Sequence, residues 1–272
     1  TCALPILFSK SNLFGSWEDT VEKIHKSDFE NILLEFTATL DNESAEIVSK
    51  YQNKVLFKYD LAQFRIDKYS KEINLIRSQY DEKERVIQAL LLNLYRQEIA
   101  TSNNINLKPV VLFKAKRTIA ESEKNKANFH KLVENLSVSA IERIEKTSTV
   151  SVVQKVISYF AAKEITHNEI VKRIQANFRY ENCLSANNDA EAEENQLLLN
   201  TLEDENNPIR AVFAVQKLNE GWDVLNLFDI VRLYEDRDGK DGKPGKTTLS
   251  EAQLIGRGAR YYPFALNKEQ EK

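Results

Sequence analysis

Residues 209–215, IRAVFAV, form a short apolar run that is rich in β-branched and aromatic side chains. A run of this length without polar alternation predicts a strand buried on both faces, as strands are in parallel sheets. Residues 228–234, FDIVRLY, predict the next strand, and residues 108–116, KPVVLFKAK, contain an earlier one. Because segments with a helical period separate these runs, we predict an α/β fold with a parallel sheet flanked by helices.

A loop rich in polar residues follows the first of these runs. It contains NEGWD at residues 219–223, so Asp223 follows a predicted parallel strand within a few residues. Open α/β sheets bind their ligands at loops that leave the carboxyl ends of the strands. Asp223 is therefore a candidate ligand-facing carboxylate.

Residues 253–260, QLIGRGAR, carry two arginines three positions apart, Arg257 and Arg260. On a helix both side chains project from nearly one face, so one cleft could receive both. A guanidinium aimed at the charge of a transferred phosphoryl group contributes about 10³- to 10⁵-fold in rate. Gln253 shares this face, where its amide can hydrogen-bond a phosphate or a water. An isolated Arg-x-x-Arg pair is more simply interpreted as a solvated helical face.

Two glycines interrupt the same segment. Gly256 and Gly258 each disfavour a helix interior by up to about 1 kcal/mol relative to Ala. The segment therefore predicts one of two features: either a group approaches the backbone closely, or the helix ends there. The first alternative makes Gly256 a candidate contact for a ligand.

These residues resemble a known family. The loop at residues 218–224 and the segment at residues 253–260, with their spacing, resemble motifs V and VI of superfamily 2 helicases and translocases. The NEGWD form is similar to the restriction (Res) subunit of type III restriction enzymes and related DEAD/DEAH-box proteins. Residues 34–40, LEFTATL, resemble motif III, and residues 108–116 resemble motif IV. The order of the motifs matches the family from about residue 30 to the C-terminus.

The resemblance implies a RecA-like fold of the P-loop NTPase type, mainly the second RecA-like motor domain with a remnant of the first. Residues 1–58 would end the first domain, residues 59–80 would form a connector, and residues 81–272 would form the second domain. Within the first domain we predict strands at residues 31–36 and 55–59. Within the second domain we predict helices at residues 81–101, 122–136 and 150–178, the last divided near Ile165 and Thr166, and a helical insertion at about residues 137–180.

The resemblance also assigns roles to individual residues at the nucleotide. Arg257 and Arg260 would act as catalytic arginine fingers, and Gln253 would tie motif VI to the opposing domain. The residues that would face the nucleotide or its coupling network are Gly221, Asp223 and Gly256.

A second set of roles concerns DNA. Thr37 and Thr39 would relay the nucleotide state to the grip on DNA. The chain has a basic stretch from Lys108 to Lys131, and such a stretch is most simply a solvated helix. The resemblance instead favours contacts of Lys114 and Lys116 with backbone phosphates, which carry no sequence information.

A motor of this family also needs a Walker A loop for the triphosphate and an acidic Walker B motif for magnesium. We find neither pattern. The nearest candidate, GKPGKT at residues 242–247, has Lys240 where the first glycine is required, and Pro244 removes an N–H from a loop that must cradle phosphate. We therefore expect ATP and Mg²⁺ to be held mainly by residues outside this chain, and the chain alone to be inactive.

The composition of the chain limits its possible functions less than the motifs do. The 272 residues are 42% hydrophobic and 29% charged with a net charge of −3, so any DNA contact must come from local patches. No apolar run approaches the roughly 18 residues of a membrane helix. Cys2 and Cys183 lack a partner pattern, which predicts free thiols in the cytoplasm. The three histidines lie at no metal-ligand spacing, so we expect no metal centre of their own.

The sequence thus predicts the ATP-dependent DNA translocase or helicase motor of a type III restriction endonuclease. Its partners would be double-stranded DNA and a modification methyltransferase subunit, without membrane contact. The alternative, from a different class, is a non-catalytic α/β module that binds nucleic acid or regulates and that kept the helicase fold.

Overall fold

A computed structural model describes residues 12–36, 45–76, 81–116, 118–187, 193–215, 224–234 and 254–260. The chain divides into two compact units, Thr1–Asp60 and Leu61–Lys272. The domain identities inferred from the resemblance stay predictions. No helix among these residues combines the length and the apolar character that a bilayer crossing requires.

The described residues of the first unit form two helices, α1 (Asn12–Lys26) and α2 (Ala45–Tyr51). Residues 31–36 and 55–59 form no strand, so the strands predicted there are wrong. A strand needs a neighbouring backbone to complete its hydrogen bonds, and apolar composition alone does not supply one. Consistent with this, Phe29, Leu56 and Phe57 are 96%, 86% and 80% exposed.

The second unit contains a sheet of four described strands, all parallel. Their order in space is β2–β3–β1–β4. This confirms the predicted α/β class, a RecA-like parallel sheet flanked by helices. Three strands match the apolar runs of the sequence, and β2 was not predicted. The strands are β1 (Val110–Lys114), β2 (Cys183–Ser185), β3 (Ala211–Ala214) and β4 (Leu227–Arg232).

The predicted helices of this unit are confirmed, including the division of residues 150–178 into two helices. The residues between 137 and 180 include three helices, and a short 3-10 turn follows at Tyr180–Asn182. The helices are α3 (Leu61–Ile66), α4 (Glu82–Ser102), α5 (Ile119–Glu134), α6 (Val138–Thr147), α7 (Ser151–Ala162), α8 (His167–Asn177) and α9 (Glu193–Asn200).

Side chains of the strands alternate between two apolar cores. Since successive side chains of a strand point to opposite faces, odd-numbered residues of β1 and β3 pack with helices α4 to α8, and even-numbered residues pack with α9. Burial on both faces explains why these strands appear in the sequence as continuous apolar runs. The first core includes Val111, Phe113, Ala211 and Phe213, and the second includes Val110, Leu112, Val212 and Ala214.

Three phenylalanines pack together at the centre of the first core. The rings of Phe113 and Phe213, which are register partners on β1 and β3, stack with centroids 5.0 Å apart. The ring of Phe129 on α5 lies 4.9 Å from Phe113 and 5.3 Å from Phe213. Because each buried phenylalanine contributes roughly 1.5–3 kcal/mol through burial alone, this cluster joins α5 firmly to the sheet.

A buried guanidinium fastens the starts of β1 and β3 to α4. Arg210, which is 4% exposed, donates from Nε to the carbonyl of Pro109 at 3.2 Å. Its Nη2 donates to the side-chain oxygens of Asn93 at 2.8 Å and Gln97 at 3.1 Å. Burial lowers the pKa of Arg210 to about 10, so the group stays charged at neutral pH.

The start of α8 carries a capping box. The Thr166 hydroxyl accepts a hydrogen bond from the Glu169 N–H at 3.2 Å, and the Glu169 carboxylate accepts one from the Thr166 N–H at 2.9 Å. We expect Thr166→Ala to lower the free energy of unfolding by about 1 kcal/mol, because a helix N–H loses its acceptor. Urea unfolding measures this loss. Thr166→Ser keeps the hydroxyl and should retain stability, and an unchanged midpoint in Thr166→Ala would contradict the assignment.

Candidate functional site

The carboxyl ends of three strands meet around Lys114. Lys114 is the register partner of Ala214 on one side and of Arg232 on the other. The chain that follows β3 therefore leaves the sheet beside Lys114. This chain carries the predicted ligand residues Gly221 and Asp223, which lie outside the described residues, and their roles stay predictions.

Lys114 itself is 4% exposed, whereas Lys116 two residues later is partly exposed. A side chain buried this deeply does not fit the expected contact with a phosphate of external DNA. The Lys114 side chain instead lies within the sheet at the carboxyl end of β1. Lys116 is better placed to meet a phosphate backbone.

The arginine segment, residues 254–260, packs along β4. Residues 254–258 are helical, and Leu254 and Ala259 are buried. Leu254 belongs to the same apolar core as Leu227. Arg257 is partly exposed and Arg260 is exposed. The apolar residues thus anchor the segment while two guanidinium-bearing residues remain accessible.

Of the two alternatives inferred from the glycines, the end of the helix is confirmed. The helix ends at Gly258, where a β-carbon would touch the side chains of Leu227 and Ile230 at 3.4 Å. A β-carbon at Gly256 would meet nothing within 4 Å. Among the described residues nothing therefore crowds Gly256, and its contact with a ligand stays a prediction.

Two residues of the predicted connector hold the end of the arginine segment. Ser70 and Arg260 form an isolated antiparallel bridge. The Lys71 N–H donates to the carbonyl of Ala259 at 2.8 Å, and the Arg260 N–H donates to the carbonyl of Arg257 at 3.2 Å. These contacts attach the backbone between Arg257 and Arg260 to Ser70 and Lys71 of the connector.

The Lys71 ammonium reaches the same turn from its side chain. It donates to the carbonyls of Leu225 at 2.5 Å, Leu227 at 2.8 Å and Gly258 at 3.0 Å. It also lies 4.3 Å from the ring centroid of Phe228. Burial lowers the pKa of Lys71 to about 8. The sequence offered no signal for this role, because Lys71 is one lysine among several in a polar stretch.

A partly buried ion pair supports β4 from the side of α4. Arg96 Nη1 lies 2.6 Å from both carboxylate oxygens of Asp229, and Asn93 Nδ2 lies 3.5 Å from the same carboxylate. The guanidinium of Arg96 is also 5.9 Å from the ring of Phe228. α4 thus fixes the strand on which both Lys71 and the arginine segment rest.

Several predicted residues lie outside the described part of the chain: Thr37, Thr39, Gly221, Asp223 and Gln253. Within the described part, no group of three His, Cys, Asp or Glu side chains could hold a metal ion. Cys183 is a free, buried thiol, and burial raises its pKa to about 12. The Cys183 thiol is therefore protonated at neutral pH.

Comparison with known proteins finds a relative of this chain. Over 240 residues the chain is 40% identical to the probable type III restriction-modification enzyme HindVIP Res subunit of Haemophilus influenzae. The chain is similar to a type III Res subunit. The alignment includes 80% of this chain and 46% of the relative, so the chain spans about half the length of that Res subunit. This similarity supports the resemblance found in the motifs.

Two other comparisons add little. A family model described as HI_1054_N, N-terminal region, matches residues 247–272, a range that includes the arginine segment. No solved structure matches the chain.

Proposed function

We propose that this chain is part of the ATP-dependent DNA translocase or helicase motor of a type III restriction enzyme, and that it supplies arginine fingers to a nucleotide held mainly elsewhere. The similarity to a Res subunit over 80% of the chain supports the family. Gly256, Gly221, Asp223 and Gln253 would line the nucleotide side. Lys116, Thr37 and Thr39 would act toward DNA.

The observation that carries this proposal is the anchoring of the arginine segment. Buried Leu254 and Ala259 hold it on the sheet, while Arg257 and Arg260 stay accessible. Preorganised positive charge lowers a barrier because it needs no reorganisation when charge develops on the reacting group. Arginines presented from a packed support therefore suit the stabilisation of phosphoryl transfer at a neighbouring domain.

We also propose that this chain contacts ATP and Mg²⁺ only in part, and that other residues hold most of the nucleotide. The open space over the Gly256 backbone leaves room for part of a nucleotide beside the two arginines. A triphosphate bound with Mg²⁺ supplies the phosphoryl group, and this chain contributes charge and orientation to it. Double-stranded DNA and a modification methyltransferase subunit are the proposed partners, in line with the family.

The test is DNA-stimulated ATP hydrolysis by the protein with its complete reading frame. We expect ATP hydrolysis that rises with added double-stranded DNA, and little hydrolysis by the 272-residue chain alone. The 272-residue chain, assayed with the same DNA, is the matched control. If the complete protein binds DNA but hydrolyses no ATP with or without it, the non-catalytic α/β module is the better description.

A further inference from the structure

The Lys71 side chain is enclosed by carbonyl oxygens. An ammonium carries three N–H donors, and the three carbonyls of Leu225, Leu227 and Gly258 lie within 3.0 Å of it. The number of donors equals the number of these acceptors. The Phe228 ring adds a cation–π contact at 4.3 Å, which suits a cation removed from water.

The three acceptors belong to two different parts of the chain. The carbonyls of Leu225 and Leu227 stand at the start of β4, whereas the carbonyl of Gly258 stands between Arg257 and Arg260 in sequence. The Lys71 backbone N–H also binds the next carbonyl of the segment, that of Ala259. Lys71 therefore holds the turn between Arg257 and Arg260 through both its backbone N–H and its side-chain ammonium.

The charges that face Lys71 come from three elements. Burial is the main cause of its lowered pKa of about 8, and the nearby charge of Arg96 on α4 acts in the same direction. Asp229 on β4 and Glu203, which follows α9, act in the opposite direction. The ammonium is thus held by carbonyl dipoles in a partly buried place.

We propose that Lys71 is a positioning residue that fixes Arg257 and Arg260 by tying the turn between them to the start of β4. This inference rests on the function proposed above, because it concerns how the arginine fingers are aimed. A misplacement of about 1 Å by a residue remote from the chemistry can lower a rate by about 10²-fold. Lys71 would act through the arginines and would not touch the nucleotide.

The first test compares Lys71→Met with Lys68→Met in DNA-stimulated ATP hydrolysis by the complete protein. Lys68 is an exposed lysine of the same connector, so it controls for the loss of a charge. We expect Lys71→Met to lower kcat by about 10²-fold with little change in KM for ATP, since the arginines act mainly in the transition state. Lys68→Met should behave as the wild type.

A double-mutant cycle with Arg257→Ala separates positioning from general destabilisation. If Lys71 acts through Arg257, Lys71→Met should add little to the loss already caused by Arg257→Ala, because coupled residues are not additive. Fully additive losses would overturn the inference. If Arg257→Ala and Arg260→Ala both leave kcat unchanged, the proposed function fails instead, and the two failures are thereby distinguished.

The pH profile gives a readout that simple packing would not move. Above its pKa of about 8, neutral Lys71 has two N–H donors for three carbonyls, so the wild type should lose kcat on an alkaline limb near pH 8. Lys71→Arg stays charged and should lack this limb. A limb that persists unchanged in Lys71→Arg contradicts the inference, and this comparison decides even if Lys71→Met fails to fold.

Hydrogen exchange supplies a measurement that is independent of ATP hydrolysis. In Lys71→Met, we expect faster exchange in peptides that include residues 254–260 and unchanged exchange in peptides from β1. Unchanged protection of residues 254–260 would overturn the inference.

Discussion

Arg257→Ala is expected to lower kcat for DNA-stimulated ATP hydrolysis by about 10³- to 10⁵-fold, and Arg260→Ala by a comparable factor. At about 1.4 kcal/mol for each tenfold, this corresponds to roughly 4–7 kcal/mol of lost transition-state stabilisation. The physical reason is that a guanidinium opposite the transferred phosphoryl group stabilises charge that is spread over its oxygens only during transfer. The KM for ATP should change much less, because the ground state does not use the full interaction.

Arg179→Ala is the matched control for this experiment. Arg179 is exposed and lies at the start of the 3-10 turn Tyr180–Asn182, so the same substitution removes a guanidinium far from the arginine segment in sequence. The urea midpoint of each variant establishes that its fold is kept. Indifference of kcat to both Arg257→Ala and Arg260→Ala would remove the motor interpretation and favour the non-catalytic module.

Phe213→Ala is expected to lower the free energy of unfolding by about 3–5 kcal/mol, the range for phenylalanine truncation in a packed core. Phe213 is 1% exposed and stacks on Phe113 and against Phe129. Its truncation removes apolar contacts on a central strand and leaves a cavity where α5 meets the sheet. Loss of a few kcal/mol is a large share of the total stability of a domain.

Urea unfolding of the whole chain measures the effect of Phe213→Ala. The control is Leu197→Ala on α9, where the side chain is 63% exposed and the expected change is within about 0.5 kcal/mol. Phe213→Leu, which keeps most of the buried volume, should lie between the two. A loss below about 1 kcal/mol in Phe213→Ala would show that the aromatic cluster is not the centre of the cooperative core.

The sheet of the second unit could be predicted from the sequence because burial on both faces leaves an unmistakable pattern. β1 before Lys114 and all of β3 contain no polar residue on either face, so their apolar character did not depend on knowing the register. β4 is less regular, because Asp229 and Arg232 interrupt its apolar run. β2 was not predicted, because its three residues, Cys183–Ser185, are too few to show a period. Its pairing with β3 is a tertiary property that local sequence does not encode.

The predicted strands of the first unit failed for the complementary reason. Residues 31–36 and 55–59 have the composition of strands, but strand formation depends on a neighbouring strand more than on intrinsic preference. No strand forms among the described residues of Thr1–Asp60. Composition therefore indicated that these segments could form strands. It did not indicate whether a neighbouring strand was available to pair with them.

At the candidate site, motif spacing predicted a set of candidate residues but not the contacts that position them. Arg257 and Arg260 both keep exposed surface, but the helix ends at Gly258, so the shared helical face expected from their spacing does not extend to Arg260. Lys114 is more buried than a DNA contact allows. Lys71 could not be predicted, because its role depends on carbonyl groups that are 154 to 187 positions away. Every residue carries a backbone carbonyl, so the sequence does not indicate which carbonyls accept hydrogen bonds from Lys71.

Two cations hold the starts of strands, and burial lowers the pKa of both, that of Arg210 to about 10 and that of Lys71 to about 8. Arg210 holds β1 and β3 and stays charged in mild alkali, whereas Lys71, which holds β4 and the arginine segment, becomes neutral above its pKa of about 8. Between these values the sheet should remain assembled while the arginine fingers are no longer aimed. Mild alkali would then yield a folded but inactive form, from which turnover returns on neutralisation.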